Sequence, residues 1–143
     1  MKRLANCCCV LALAVLAATG SAQNRSATNR EIYLYQGADR AERLVAAAKK
    51  EGTLVLYSTM TQEDANPLLA AFEKKHGIKV RMWRAVNQKL VQRALAEARA
   101  GQLAADAFEG SGPGLEILHQ EGLLEQFYSP AFADIPRETF PRH

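Results

Sequence analysis

No cysteine occurs after residue 9. The three present, Cys7, Cys8 and Cys9, stand side by side near the start. The rest of the chain therefore cannot form a disulfide or a thiolate metal site. An excess of one charge is also missing: 18 basic and 15 acidic residues leave a formal net charge of +3. That balance is no footprint of a nucleic-acid binder. Catalytic motifs are absent too. No Ser-His-acid arrangement, paired-carboxylate motif or metal-ligand spacing occurs. The chain is accordingly read as no enzyme, with no catalytic residue, no cofactor and no resident metal. Gly110-Ser111-Gly112-Pro113-Gly114 is rich in glycine. It lacks the G-x-G-x-x-G spacing, and no Lys-Ser/Thr follows it, so it makes a poor nucleotide loop.

The one long apolar run, Cys7 to Ala18, is too short to span a bilayer. Lys2 and Arg3 precede it, and Gly20-Ser21-Ala22 follows. This is the pattern of an export signal, with cleavage expected after Ala22. Removing the first 22 residues leaves 121, with 16 basic and 15 acidic side chains. A cleaved signal implies a periplasmic location and no stable membrane insertion afterwards. A chain of 121 residues makes one small domain, burying about two-thirds of its unfolded surface.

Residues 23–36 read as a polar, flexible lead followed by a docking segment, Ile32-Tyr33-Leu34-Tyr35. Asp39 to Lys50 is predicted as a helix with a capping box from Asp39 and Glu42, stopped by Gly52. Leu54-Val55-Leu56 is a continuous apolar run, the mark of a parallel strand covered on both faces. A second helix is expected from Pro67, capped by Asn66, with Leu68, Leu69 and Phe72 toward the core and His76 as an end-of-helix cation. Ile78 to Trp83 alternates like a half-buried strand. Asn87 is expected to cap a third helix carrying Leu90, Val91, Ala94, Leu95 and Ala98. Ala105 to Phe108 gives a third strand, with Asp106 in a structural role. A fourth helix follows, anchored by Leu115, Ile117 and Leu118, after which Leu123, Leu124 and Phe127 pack back. Residues 128–143 carry three prolines and read as connector. The order α-β-α-β-α-β-α predicts an α/β fold around a parallel three-stranded sheet flanked by helices.

In such sheets ligands bind beyond the carboxyl ends of the strands. Three strand-to-helix loops are expected there: Ser58 to Thr61, Arg84 to Gln88, and Glu109 to Gly112. Helix N-termini with unpaired N–H groups favour an anion. The candidate ligand-binding residues are Ser58, Thr59, Met60, Thr61, Arg84, Gly110, Ser111 and Gly112. Each bond to a charged ligand group would contribute about 1.5–3 kcal/mol. Thr61, Asn87 and Ser111 also fit simple helix caps. Ser58 and Thr59 precede the cap position and are the better ligand candidates.

Several blocks carry a family resemblance. Ala46-Ala47-Ala48-Lys49-Lys50-Glu51-Gly52-Thr53-Leu54-Val55-Leu56-Tyr57-Ser58 resembles the start of extracellular solute-binding proteins of ABC importers, closest to the ferric-iron-type branch. Ala71 to Val80, Leu95 to Gly101, Ala105 to Phe108 and Glu121 to Leu124 follow in the family's order. The resemblance implies a periplasmic-binding-protein-like fold of type II. Residues 37–127 would form a partial N-terminal lobe, and 128–143 would lead toward a second lobe that this chain lacks. It further implies a small solute or ion as ligand and a membrane permease as partner. Iron-binding members place a histidine after the first strand and a glutamate after the third. Thr61 and Ser111 hold the matching positions here, a departure from the iron-binding pattern, and the hydroxyl-lined edge fits a different, organic or oxyanionic ligand. A small secreted α/β enzyme, or a fragment without activity of its own, are the alternative readings.

Overall fold

The computed structural model describes residues 29–140; the export-signal reading and Pro141 lie outside them. Four helices and three strands alternate in the predicted order. They are α1 (Arg40–Glu51), β1 (Thr53–Ser58), α2 (Gln62–His76), β2 (Lys79–Arg84), α3 (Asn87–Arg99), β3 (Ala107–Phe108) and α4 (Gly112–Gln120). Two short 3-10 turns, Pro130–Asp134 and Arg137–Thr139, close the described chain. Residues 29–34 are helical and precede α1. The sheet order is β2-β1-β3, with both pairings parallel. Thr53 pairs with Lys79 and Ser58 with Arg84, while Tyr57 lies opposite Phe108. The fold is thus α/β, with a three-stranded parallel sheet flanked by helices.

Tyr57, Leu90, Val91, Ala94 and Leu118 form a buried cluster between β1, α3 and α4. Apolar residues of α3 recur at helical spacing, so one face of the helix enters this cluster. Val55, Trp83 and Phe108 pack around it. Arg93 lays its guanidinium over Trp83 at 4.3 Å and over Tyr57 at 4.8 Å. Its Nε also donates to Glu97 Oε1 at 2.6 Å. The Tyr57 hydroxyl donates to the same carboxylate at 2.8 Å. This polar cluster seals the edge of the core.

The opposite face of the sheet is less well covered. Leu54, Val55 and Leu56 were expected to be covered on both sides; all three are only half-buried. Leu54 lines a hollow with Ala48, Phe72 and Ile78, because α1 and α2 do not close over the strand.

Several local expectations are corrected. Helix α2 begins at Gln62, so Pro67 lies inside it. The ring is exposed to solvent, and the helix forgoes one backbone bond there. Leu69 and Phe72, three apart on one face, are half-buried, while Leu68, about 100° round the helix from Leu69, is 55% exposed. Asp39 precedes α1 without a side-chain cap. Its carboxylate instead accepts from the Tyr35 hydroxyl at 2.5 Å and from Arg43 Nε at 2.7 Å. Val86, and not Asn87, is the residue before α3. Ile117, Leu124 and Phe127 are exposed. Asp106 lies just before β3, and its Oδ2 accepts the Val55 N–H at 2.7 Å, the structural role expected of it.

Candidate functional site

The three strand-to-helix loops do gather beyond the carboxyl ends of the strands, and they are bonded to one another. The first joins the third through Glu109, which directly follows β3, two residues ahead of Ser111. Glu109 Oε2 accepts from the Ser58 hydroxyl at 2.7 Å, the Thr59 N–H at 2.9 Å and the Met60 N–H at 3.1 Å. The Thr59 hydroxyl lies 3.2 Å from both carboxylate oxygens. Ser58 is fully buried, so its hydroxyl requires such a partner. The Ser58 hydroxyl bond holds the Glu109 carboxyl below its usual range. Burial opposes this, and the Thr59 and Met60 N–H groups reinforce it.

The first and second loops are joined by Arg84, whose Nε donates to the Met60 carbonyl at 2.9 Å. The Ala85 N–H reaches the Ser58 carbonyl at 3.1 Å. Asn87 joins the second to the third: its Oδ1 accepts the Ser111 N–H at 3.2 Å. The side chain expected to cap its own helix thus reaches the start of α4. Gly110 and Gly114 leave room for it. A Cβ at Gly114 would stand 2.4 Å from the Asn87 amide, and one at Gly110 would stand 3.0 Å from its oxygen.

The eight residues predicted for the site fall into three kinds. Ser58, Thr59 and Met60 share one cradle, with the donors expected of an anion site, and a carboxylate of the same chain fills it. Thr61 is a cap: its hydroxyl accepts the Asp64 N–H at 3.2 Å and donates to Asp64 Oδ2 at 2.6 Å. Ser111 precedes α4 without a side-chain cap bond. Arg84, Ser111 and Gly112 are exposed on the rim, and Gly110 is half-buried.

Sequence reasoning placed Glu109 in a turn and missed its role. The available signal was a lone carboxylate ending a strand beside a neighbouring strand that ends in two hydroxyls. No group of three or more His, Cys, Asp or Glu side chains among the described residues can hold a metal ion. No helix there is long and apolar enough to cross a membrane.

The resemblance drawn from the sequence blocks stands on those residues alone: compared with protein-family models, curated proteins and solved structures, the chain shows no match.

Proposed function

We propose that this chain is the N-terminal portion of a periplasmic substrate-binding component of an ABC importer. It captures a small solute and passes it to a membrane permease. The observation that supports this most is the bonding of all three strand-to-helix loops into one rim at the carboxyl ends of the sheet. Rims of this kind present ligand groups from elements that the sheet holds fixed. Type II binding-protein topology, with a partial first lobe, is the finer fold reading that goes with this function.

Glu109 sharpens the ligand side of the proposal. Its Oε2 is saturated by three close donors, whereas Oε1 receives only the long Thr59 contact. The rim therefore carries a carboxylate oxygen at Glu109 and, on another of its loops, an exposed arginine, Arg84. A solute carrying both donor and acceptor groups matches this pairing better than a simple anion does. A ferric ion held with an oxyanion is one such ligand, and a zwitterionic organic molecule is another.

Titration calorimetry with ferric citrate, inorganic phosphate and small amino and hydroxy acids tests the reading. One of these should bind in one-to-one stoichiometry, and Arg84→Gln with Ser111→Ala should weaken it. Unchanged affinity in that double variant would move the site off the rim. Export is tested separately by sequencing the N-terminus of the protein recovered from a periplasmic extract. Processing after Ala22 is the expected result, and an intact Met1 would remove the periplasmic assignment.

A further inference from the structure

A second cavity lies at the other end of the sheet. It is a groove of about 570 Å³ between α1, α2 and residues 128–130. Ala48 belongs to the last turn of α1, just before β1, and Ile78 immediately precedes β2. The groove therefore sits at the amino ends of the strands, away from the loop rim. Small-ligand pockets commonly fall in the range of about 300–1,000 Å³. Leu44, Val45, Ala48, Phe72 and Ile78 give it apolar walls.

Two basic side chains, Arg40 and His76, line this groove. Arg40 Nη2 donates to the Tyr33 carbonyl at 3.0 Å and to the Tyr128 carbonyl. Its Nε is buried and has no hydrogen-bond partner. Among the described residues no carboxylate pairs with it. Its guanidinium also lies over the Tyr128 ring at 5.5 Å. A partly buried guanidinium that meets only neutral carbonyls and a ring has no opposite charge beside it, and a carboxylate is its best-matched partner. A smaller hollow adjoins the groove, sharing Ala48, Phe72 and Ile78, and is lined by Glu51 and Asp106. Those two acids repel an anion at that end. The charges thus orient an occupant with its carboxylate at Arg40 and its apolar part over Phe72 and Ile78.

We propose that this groove is a binding site for a hydrophobic carboxylic acid, an aliphatic or aromatic monocarboxylate. The site is independent of the solute rim, so failure of either leaves the other standing.

Calorimetric titration of the full chain with octanoate, 1-octanol and octylammonium tests it. Octanoate should bind about tenfold tighter than octanol, the effect of one charge-assisted hydrogen bond. Octylammonium should be the weakest of the three. Arg40→Gln should erase the preference for octanoate while leaving octanol affinity in place, and Arg40→Lys should retain most of it. Since Arg40 also ties the chain segments together, Ala48→Trp serves as a second variant. It fills the groove without touching Arg40 and should abolish binding of all three, with the circular dichroism unchanged. Equal affinity for octanoate and octanol would overturn the proposal, as would octanoate binding that survives Ala48→Trp. Self-association of the wild-type chain that Ala48→Trp disperses would also overturn it, by assigning the groove to a second copy.

Discussion

The hydroxyl of Ser58 donates to Glu109 Oε2 at 2.7 Å, joining the end of β1 to the residue that follows β3. Ser58 is fully buried and Glu109 half-buried, so neither is readily satisfied by water. Removing either partner leaves the other without its bond. Ser58→Ala and Glu109→Ala should each destabilise the fold by about 1–3 kcal/mol. The double variant should lose less than the sum, with a coupling of about 0.5–3 kcal/mol in a double-mutant cycle. Strictly additive urea-unfolding energies would show that the bond contributes nothing to stability.

The same carboxylate makes part of the stability depend on pH. The folded state holds Glu109 below its usual range, first through the Ser58 hydroxyl. A depressed folded pKa gives stability that is fully present above the unfolded value, about 4.3 for glutamate. It is lost as pH falls through the lower folded value. Wild type should therefore exceed Glu109→Gln in stability at pH 7, and the gap should narrow steadily below about pH 4. Glu73 and Glu97 are shifted in the same direction, so only the difference between the two proteins isolates Glu109. A gap that is constant from pH 7 to pH 3 would rule out an ionised role.

Helix and strand order was legible because it rests on periodicity, which needs only nearest neighbours. Gly52 stops α1 as expected, and Gly77 ends α2 in the same way, each with a positive φ. What was not legible depends on contacts between distant segments. The run Leu54-Val55-Leu56 looks the same whether or not helices close over both faces, and here one face stays partly open. Asn87 has the identity of a cap, yet its side chain finds a better-placed donor in Ser111, 24 residues away. Glu109 shows the same limit. It stands between Phe108 and a run of glycines and a serine, while its partners arrive from the end of β1 and the loop after it. The gathering of the loops followed from topology; the filling of the cradle by an internal carboxylate did not.

Tyr57 is the largest fully buried side chain among the described residues; its hydroxyl donates to Glu97, and the Arg93 guanidinium lies over its ring. Burial opposes ionisation of Glu97. The bonds from Arg93 and Tyr57 outweigh it and hold the carboxyl below its usual range. Tyr57→Phe keeps the ring and removes one donor. It should cost about 1–3 kcal/mol and should raise the Glu97 pKa, measured by carbon-detected NMR titration. If that titration does not move, the hydroxyl is not coupled to the carboxylate in solution.

Gly114 poses a conflict between local preference and packing. It lies inside α4, where alanine is favoured over glycine by about 1 kcal/mol. A Cβ there would lie 2.4 Å from both Asn87 amide atoms. Contacts that short force the amide to move, and the bond from the Ser111 N–H to Asn87 Oδ1 would go with it. Gly114→Ala should therefore destabilise the wild-type protein by about 1–3 kcal/mol. In an Asn87→Ala background the obstacle is gone, and helix preference alone remains. There the same substitution should stabilise by a few tenths to about 1 kcal/mol. The sign of the effect should thus reverse between the two backgrounds in denaturant unfolding. A stabilising Gly114→Ala in the wild-type background would mean that Asn87 does not occupy this space, and that the second and third loops are not joined through it.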